Sequence, residues 1–243
     1  MTVAVPVSVV VSCLDGRSGG SPTAVVRDDP ALSDEQRRAV PAEVGVSHAG
    51  FVRGREVRFF TGTGELLNCG HGLIAVQAAQ LFRTGRPWLR SRLRAGGRPV
   101  HTVAVRTGPV SADVWFDQGR IALSPAGVDG ELAAALGVTA ADVGAEACIA
   151  SPGTPRILLP VRDRAALHAL EPDMEALAAW CRARGLLGCL AYAPPSRAAD
   201  HDTHQATGVV AARMFAPAIG VPEDLLNANS SGCLAAWLHR RDG

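Results

Sequence analysis

One apolar segment in the first third of the chain constrains the fold most strongly. It is HGLIAVQAAQLFRTG, residues 71–85, which places apolar side chains on nearly every face of a helix. A helix of this kind is stable only when other structure encloses it. The small residues Asn68-Cys69-Gly70 stand before it and mark its start. We therefore predict a buried helix surrounded by the strands that flank it in the sequence.

A second apolar helix follows the same pattern near the end of the chain. The sequence predicts it over residues 231–239, after the small residues Asn229-Ser230-Ser231. Each half thus holds strands and then one apolar helix, which is typical of a duplicated fold. Two such helices would point their N-termini at a shared cleft. Because unpaired N–H groups and the helix dipole attract negative charge, that cleft would bind a carboxylate.

The other elements follow from local patterns. The capping box at Ser33 and Gln36 starts a helix, and Pro41 is expected to end or kink it near Val40. The turn-rich stretch at 124–130 indicates a domain boundary. Helices are further predicted at 130–137 and 163–184, and a polar loop at 194–208. Strands are predicted at 7–14, 23–26, 48–53, 56–60, 101–107, 112–116, 120–124, 156–161, 187–192 and 209–216.

Composition excludes several classes of protein. The chain has 243 residues, and its 24 basic and 23 acidic side chains give a net charge of +1, which argues against a nucleic-acid partner. No apolar run is long enough to cross a membrane, and the opening segment is interpreted as a strand rather than a signal peptide. The six cysteines lack metal-ligand spacing and are expected to be reduced. We expect a cytoplasmic globular protein.

Four segments of the chain carry a resemblance to a known family. They are GGSPTAVV (19–26), SHAGFV (47–52), FFTGTGELLNCGHGLIAVQAA (59–79) and ARMFAPAIGVPEDLLNANSSGCLAAWL (212–238). Together they resemble the PhzF (phenazine biosynthesis-like) family, a branch of the diaminopimelate-epimerase-like fold. The resemblance implies an α+β fold with two pseudo-symmetric domains, each a curled, barrel-like β-sheet around a central helix, and an active site in the cleft between them. It implies domains at 1–127 and 128–243, the second without the family's terminal strands, and hence a homodimer through an exposed sheet edge.

The chain departs from this family at positions where the family carries catalytic residues. His48 stands where the family carries an acidic catalytic residue. Imidazole titrates near neutrality and can both take and return a proton; the alternative is a strand histidine without a function. Cys69 matches the first of the two catalytic cysteines of some relatives, whereas Asn227 aligns with the second.

Cys69 and His71 complete the candidate catalytic set. A thiol at a helix N-terminus has a lowered pKa and can act as a base, although a packed, unreactive thiol is an equal alternative. His71 could donate a hydrogen bond to a carboxylate or an enolate, or it could simply cap or pack the helix.

The candidate substrate-binding residues lie at the two helix starts. Glycines allow a ligand to approach the backbone, and the polar residues offer hydroxyl, amide and backbone donors. Ordinary helix capping is the alternative for the second group. The residues are Gly70 and Gly72 in the first half and Asn227, Asn229, Ser230 and Ser231 in the second.

Other polar clusters are interpreted without a function. His201 and His204 flank Asp202 in a polar loop, but no third ligand stands at a convincing spacing, so no metal site is expected. The arginine-rich run at 86–98 is interpreted as a solvated linker face. No metal and no other cofactor is expected.

The sequence therefore predicts a cofactor-independent isomerase. It would move a proton on a small amino- or imino-carboxylic acid, as a double-bond shift, in a specialised-metabolite pathway such as antibiotic biosynthesis. An epimerase or racemase with Cys69 opposite His48 is one alternative, and a non-catalytic ligand-binding relative is another. Neither the substrate nor the choice between His48 and Cys69 as the base follows from the sequence.

Overall fold

We analysed a computed structural model of the chain, which describes residues 6–14, 18–139, 141–144, 146–194, 210–224 and 227–242. The chain divides into two compact units, Met1–Gly119 and Arg120–Gly243. Both contain helices and strands, so the α+β class predicted from the sequence is confirmed.

The first unit contains two helices and one sheet. Its helices are α1 (Asp34–Val44) and α2 (Gly70–Thr84). Its strands are β1 (Val7–Ser12), β2 (Ser21–Arg27), β3 (His48–Arg53), β4 (Glu56–Phe60), β5 (Glu65–Leu66), β6 (Trp88–Ala95), β7 (Arg98–Arg106) and β8 (Ala112–Phe116).

The sheet of the first unit curls around α2. Its strand order is β1-β2-β3-β4-β6-β7-β8, and β5 pairs with β4. Strands from both ends of this order, β1 and β8, contact α2. Leu73, Val76 and Leu81 of α2 are almost completely buried. The prediction of an enclosed apolar helix is therefore confirmed.

Helix α1 covers part of the other face of this sheet. Ser33 Oγ accepts a hydrogen bond from the Gln36 N–H, and Gln36 Oε1 accepts one from the Ser33 N–H, so the predicted capping box is present. The prediction that Pro41 ends or kinks the helix near Val40 is wrong, because α1 continues to Val44. Pro41 removes the hydrogen bond that a residue at this position would donate to the Arg37 carbonyl, but its ring is buried and the helix continues past it.

The arginine-rich run at 86–98 is not a linker. Residues Trp88–Ala95 form β6, which pairs antiparallel with β7 and parallel with β4. Arg90, Arg92 and Arg94 are exposed, whereas Leu93 and Ala95 point to the core. This alternation of exposed and buried residues is the signal of a half-buried strand, and the arginine count hid it.

The described residues of the second unit form four α-helices, one short 3-10 helix (Pro217–Ile219) and a second sheet. The helices are α3 (Gly130–Ala135), α4 (Arg164–His168), α5 (Met174–Ala183) and α6 (Ala228–Asp242). The strands are β9 (Ala122–Ala126), β10 (Ala147–Ser151), β11 (Arg156–Pro160), β12 (Cys189–Ala193), β13 (Ala211–Ala216) and β14 (Val221–Asp224), in the order β14-β13-β12-β11-β10-β9.

Helices pack on both faces of the second sheet. One buried cluster joins α3, α4 and α5 to the sheet through residues such as Leu132, Leu167 and Leu177. The other joins α6 to the opposite strand positions through Cys233 and Leu234. As predicted, the last helix is apolar on its sheet-facing side, and it is longer than expected at both ends.

The helix predicted at 163–184 is two helices. Helix α4 ends at His168, and α5 begins at Met174 with Asp173 as its N-cap, whose carboxylate accepts hydrogen bonds from two backbone N–H groups. Pro172 explains the break, because the residue before a proline is disfavoured in the helical conformation.

Some predictions fall outside the described residues. These are most of the polar loop at 194–208, which includes His201, Asp202 and His204. No helix among the described residues is long and apolar enough to cross a membrane. All six cysteines lie in described segments and form no disulfide, and five of them are buried.

Candidate active site

Two adjacent parts of the first unit position the candidate catalytic side chains. His48 is the first residue of β3, opposite Thr23 of the parallel strand β2. Cys69 is the N-cap of α2, and His71 is in its first turn. Because β3 lies against the start of the enclosed helix, the three side chains meet inside the first unit.

The three side chains form a buried cluster, called the His-Cys-His cluster below. His48, Cys69 and His71 are each 4% exposed. The two imidazole rings meet edge to face, with centroids 4.4 Å apart and an interplanar angle of 81°. Cys69 Sγ lies 3.5 Å from His71 Nε2. One nitrogen or sulfur atom of each side chain lies within 4.8 Å of the others, close enough to share one metal ion.

Neighbouring hydroxyl groups hold the two histidines. Ser47 Oγ lies 2.7 Å from His48 Nδ1, and this contact orients the ring. Ser12 Oγ donates a hydrogen bond of 3.0 Å to the carbonyl oxygen of His71. Neither serine had been assigned a role from the sequence. Ser47 precedes His48 directly, and that adjacency was the available signal.

The start of α2 is suited to an anion. The first intrahelical bond runs from the Leu73 N–H to the Cys69 carbonyl at 2.9 Å, so the N–H groups of residues 70–72 have no acceptor within the helix. The Cys69 side chain makes no capping hydrogen bond. A negative group placed there would meet both the helix dipole and the N–H groups of the first turn.

Gly72 has a packing role that the sequence did not reveal. A Cβ built at this position would lie 2.6 Å from Phe59 Cε1 and 2.9 Å from Cys69 Sγ. Only a glycine lets α2 approach β4 this closely. Its predicted role in substrate binding stays a prediction.

The remaining predicted binding residues belong to the second unit, where they begin α6. Asn227 Oδ1 accepts a hydrogen bond of 2.8 Å from the Ser230 N–H, and Asn227 Nδ2 donates one of 2.8 Å to Asp224. Ser231 is exposed, and its hydroxyl donates to the Asn227 carbonyl. These contacts are those of a capped helix. Asn229 Oδ1 differs, because it is buried and has no hydrogen-bond partner among the described residues.

A buried arginine lies beside the start of α6. Arg156, the first residue of β11, is 1% exposed. Its Nη1 donates to Ser230 Oγ at 2.7 Å, and its Nη2 donates to the Thr154 carbonyl at 2.9 Å. Burial lowers the pKa of its guanidinium, while nearby Cys233 and Asp224 oppose this effect. The sequence predicted a strand at 156–161 but gave no role to Arg156, because the residues that follow it are apolar.

Burial perturbs four other thiols of the chain. Burial raises the pKa of Cys148 and Cys233, and it raises the pKa of Cys181 to about 11. Burial also raises the pKa of Cys189, where the nearby Cys181 adds to the effect. Thiols with raised pKa values are protonated at neutral pH and unreactive. They are core residues, as the sequence predicted for most of the cysteines.

Comparison with known proteins identifies the family. The family model described as phenazine biosynthesis-like protein, PhzC-PhzF, matches residues 15–243. This chain belongs to that family. The resemblance seen in four segments of the sequence is therefore confirmed.

The names of the relatives indicate the class of enzyme. An "Uncharacterized isomerase" of Deinococcus radiodurans is 33% identical over 233 residues, which are 90% of this chain and 71% of that protein. The trans-2,3-dihydro-3-hydroxyanthranilate isomerase of Pseudomonas aeruginosa is 29% identical over 91% of this chain and 75% of its own length. These relatives confirm the prediction of an isomerase.

A solved structure agrees with the fold. A "Predicted Epimerase" from Pseudomonas aeruginosa superimposes with a TM-score of 0.72 and 26% sequence identity, over 92% of this chain and 77% of that one. The two-domain, diaminopimelate-epimerase-like architecture implied by the sequence is the architecture of this family.

Replacing Gly72 with alanine tests the close approach of α2 to β4. The added methyl group would overlap the Phe59 ring, so we expect Gly72→Ala to lower the free energy of unfolding by about 1–3 kcal/mol. Chemical denaturation measures this change. Gly62→Ala is the control, because a Cβ at Gly62 meets no atom within 4 Å. Equal stability of the two variants would contradict the packing role.

Replacing Asn227 separates capping from other roles. Asn227→Ala removes the N-cap of α6 and should lower the free energy of unfolding by about 1–2 kcal/mol, whereas Asn227→Ser keeps a capping oxygen and should lower it less. Thermal and urea unfolding measure both variants. If serine and alanine destabilise the protein equally, the cap is not what Asn227 contributes.

Proposed function

We propose that this chain is a cofactor-independent isomerase that shifts a double bond in a small amino- or imino-carboxylic acid by moving a proton between carbons. The observation that carries the proposal is the His-Cys-His cluster: an imidazole on β3, with a thiol and a second imidazole at the start of α2, all buried. Groups of this kind exchange protons at neutral pH, and their burial keeps bulk water from competing.

We assign His48 as the base. A neutral imidazole is ready to accept a proton, whereas a thiol must first lose its own. Contact with Ser47 orients the ring. His48 would take a proton from carbon, and the electron pair left behind would spread into the conjugated carboxylate. A proton would then return at another carbon, either from the His48 imidazolium or from the Cys69 thiol, whose thiolate would regain a proton from that imidazolium.

The start of α2 would hold the carboxylate. The backbone N–H groups of Gly70 and Gly72 have no intrahelical acceptor and lie beside Cys69. Charge that develops on the carboxylate oxygens during proton removal would be stabilised there by fixed donors. His71, within the same turn, would add a ring N–H donor.

The distances within the cluster favour a double-bond shift over racemisation. A racemase with two bases places them on opposite faces of one carbon, each about 3–3.5 Å away, so that its bases are about 6–7 Å apart. The donor atoms of His48 and Cys69 lie within 4.8 Å of each other. This spacing suits the transfer of a proton along one face of the substrate.

The substrate and its context belong to the same proposal. A relative is named for trans-2,3-dihydro-3-hydroxyanthranilate, and we take this amino acid with conjugated double bonds as the first candidate. A specialised-metabolite pathway such as antibiotic biosynthesis and a cytoplasmic location are also proposed. The predicted contributions of Asn227, Asn229, Ser230 and Ser231 to substrate binding stay proposals, and the unpartnered Asn229 Oδ1 supports that of Asn229.

We further propose a homodimer that pairs through β1. This strand ends the order of the first sheet, and Val7, Val9 and Val11 are 41%, 53% and 43% exposed. An exposed apolar edge strand favours pairing with a second copy. Val9→Lys should convert dimer to monomer in analytical ultracentrifugation, and Val110→Lys, at a position 91% exposed in a loop, should not. A monomeric unmodified chain would refute this interface.

Incorporation of solvent deuterium tests the reaction. In D₂O with trans-2,3-dihydro-3-hydroxyanthranilate or a panel of L-amino acids, we expect deuterium at carbon together with a shifted double bond, followed by NMR. Loss of the base should slow the reaction by about 10²–10⁴-fold in His48→Ala and His48→Gln. His101→Ala is the control, since His101 lies exposed on β7.

The outcomes separate the candidate functions. An inverted stereocentre without a shifted double bond would identify an epimerase, and binding without any exchange would identify a ligand-binding relative. Full turnover in folded variants of both His48 and Cys69 would overturn the site assignment. Circular dichroism of each variant shows whether it folds.

A further inference from the structure

The His-Cys-His cluster also has the composition of a metal site. Imidazole nitrogen and thiolate sulfur are the ligands that zinc prefers in proteins. All three side chains are 4% exposed, and they come from two packed elements, β3 and the start of α2. Among the described residues, these three bring one donor atom each to within 4.8 Å of the others.

The spacing of these atoms approaches that of a zinc centre. With Zn–N distances of about 2.0–2.1 Å and a Zn–S distance of about 2.3 Å, tetrahedral ligand atoms lie about 3.3–3.6 Å apart. Cys69 Sγ and His71 Nε2 are 3.5 Å apart and already meet this requirement. Every pair of donor atoms lies within 4.8 Å, so no pair exceeds the zinc ligand–ligand distance by more than about 1.5 Å. Small side-chain rotations can close this difference.

We propose that the cluster binds one Zn²⁺ ion through His48, Cys69 and His71, with the fourth coordination position open. The Ser47 hydroxyl beside His48 Nδ1 would serve as the outer partner that orients a ligating imidazole. On coordination the Cys69 thiol releases its proton to solvent and binds as thiolate. Mg²⁺ and Ca²⁺ require oxygen ligands and are not expected to bind.

Zinc at this position would inhibit the reaction. This consequence rests on the proposed function, because the ion would occupy the lone pair with which His48 accepts the proton and would hold Cys69 as a thiolate without a proton to return. The ion is therefore an inhibitor of the isomerase and not its cofactor. Removal of the ion by a chelator should restore activity.

Cobalt titration of the metal-free full chain tests the site. Co²⁺ replaces zinc in such sites, and a thiolate ligand gives a charge-transfer absorption in the near ultraviolet. We expect saturation at one equivalent, with displacement of Co²⁺ by Zn²⁺. Cys69→Ser should abolish the charge-transfer band, and His48→Gln and His71→Gln should weaken binding by more than about tenfold.

Matched controls come from the same chain. Cys13→Ser removes the more accessible thiol, and His101→Gln removes an exposed histidine, so both variants should bind Co²⁺ as the unmodified chain does. Failure of the unmodified chain to take up Co²⁺ or Zn²⁺ saturably would overturn the proposal, whatever the folding of the variants. Persistence of the band in Cys69→Ser, or its loss in Cys13→Ser, would overturn it equally.

The zinc proposal and the proposed isomerase function can be refuted independently. Deuterium exchange without metal uptake would remove the zinc site and leave the isomerase. Metal uptake without exchange on any substrate would leave the zinc site and remove the proposed function. A zinc-loaded chain that exchanges at the rate of the metal-free chain would overturn the inhibition.

Discussion

Helix α2 touches strand β4 at Gly72, where any side-chain carbon would collide with the ring of Phe59. This contact brings the first turn of the helix onto the sheet, and β3 is paired with β4 there. The N-cap Cys69 consequently lies beside the first residue of β3, His48. The burial of the cluster, its short distances and the position of the α2 N-terminus beside it all depend on this one approach between helix and sheet.

Much of the fold was predictable because hydrophobic patterning determines it. The all-round apolar character of α2 required an enclosing sheet, and the capping box placed the start of α1 at Asp34. The wrong predictions arose where residue content was given more weight than the order of residues. Five arginines concealed the alternation of β6, and a single long helix was assigned across Pro172. Helix α1 continues past Pro41, which is buried, so packing outweighs the hydrogen bond that the proline removes.

The candidate site was predictable in its membership but not in its geometry. The change from a carboxylate to His48 at a position where the family has a catalytic residue, and the thiol at a helix start, indicated two segments that the fold brings together. Distances between β3 and α2 depend on strand register and helix approach, which only the folded chain defines. Arg156 was missed because a buried charge at the first position of an apolar strand leaves no pattern in the sequence.

All three members of the cluster come from residues 48–71, within the first unit. Contacts between neighbouring stretches of chain form quickly, and domains emerging from the ribosome fold from the N-terminus onward. We therefore expect a nascent chain to assemble this trio of side chains while residues 120–243 are still being translated. The Cys69 thiol would then be buried, and protected from cellular oxidants, before synthesis of the chain is complete.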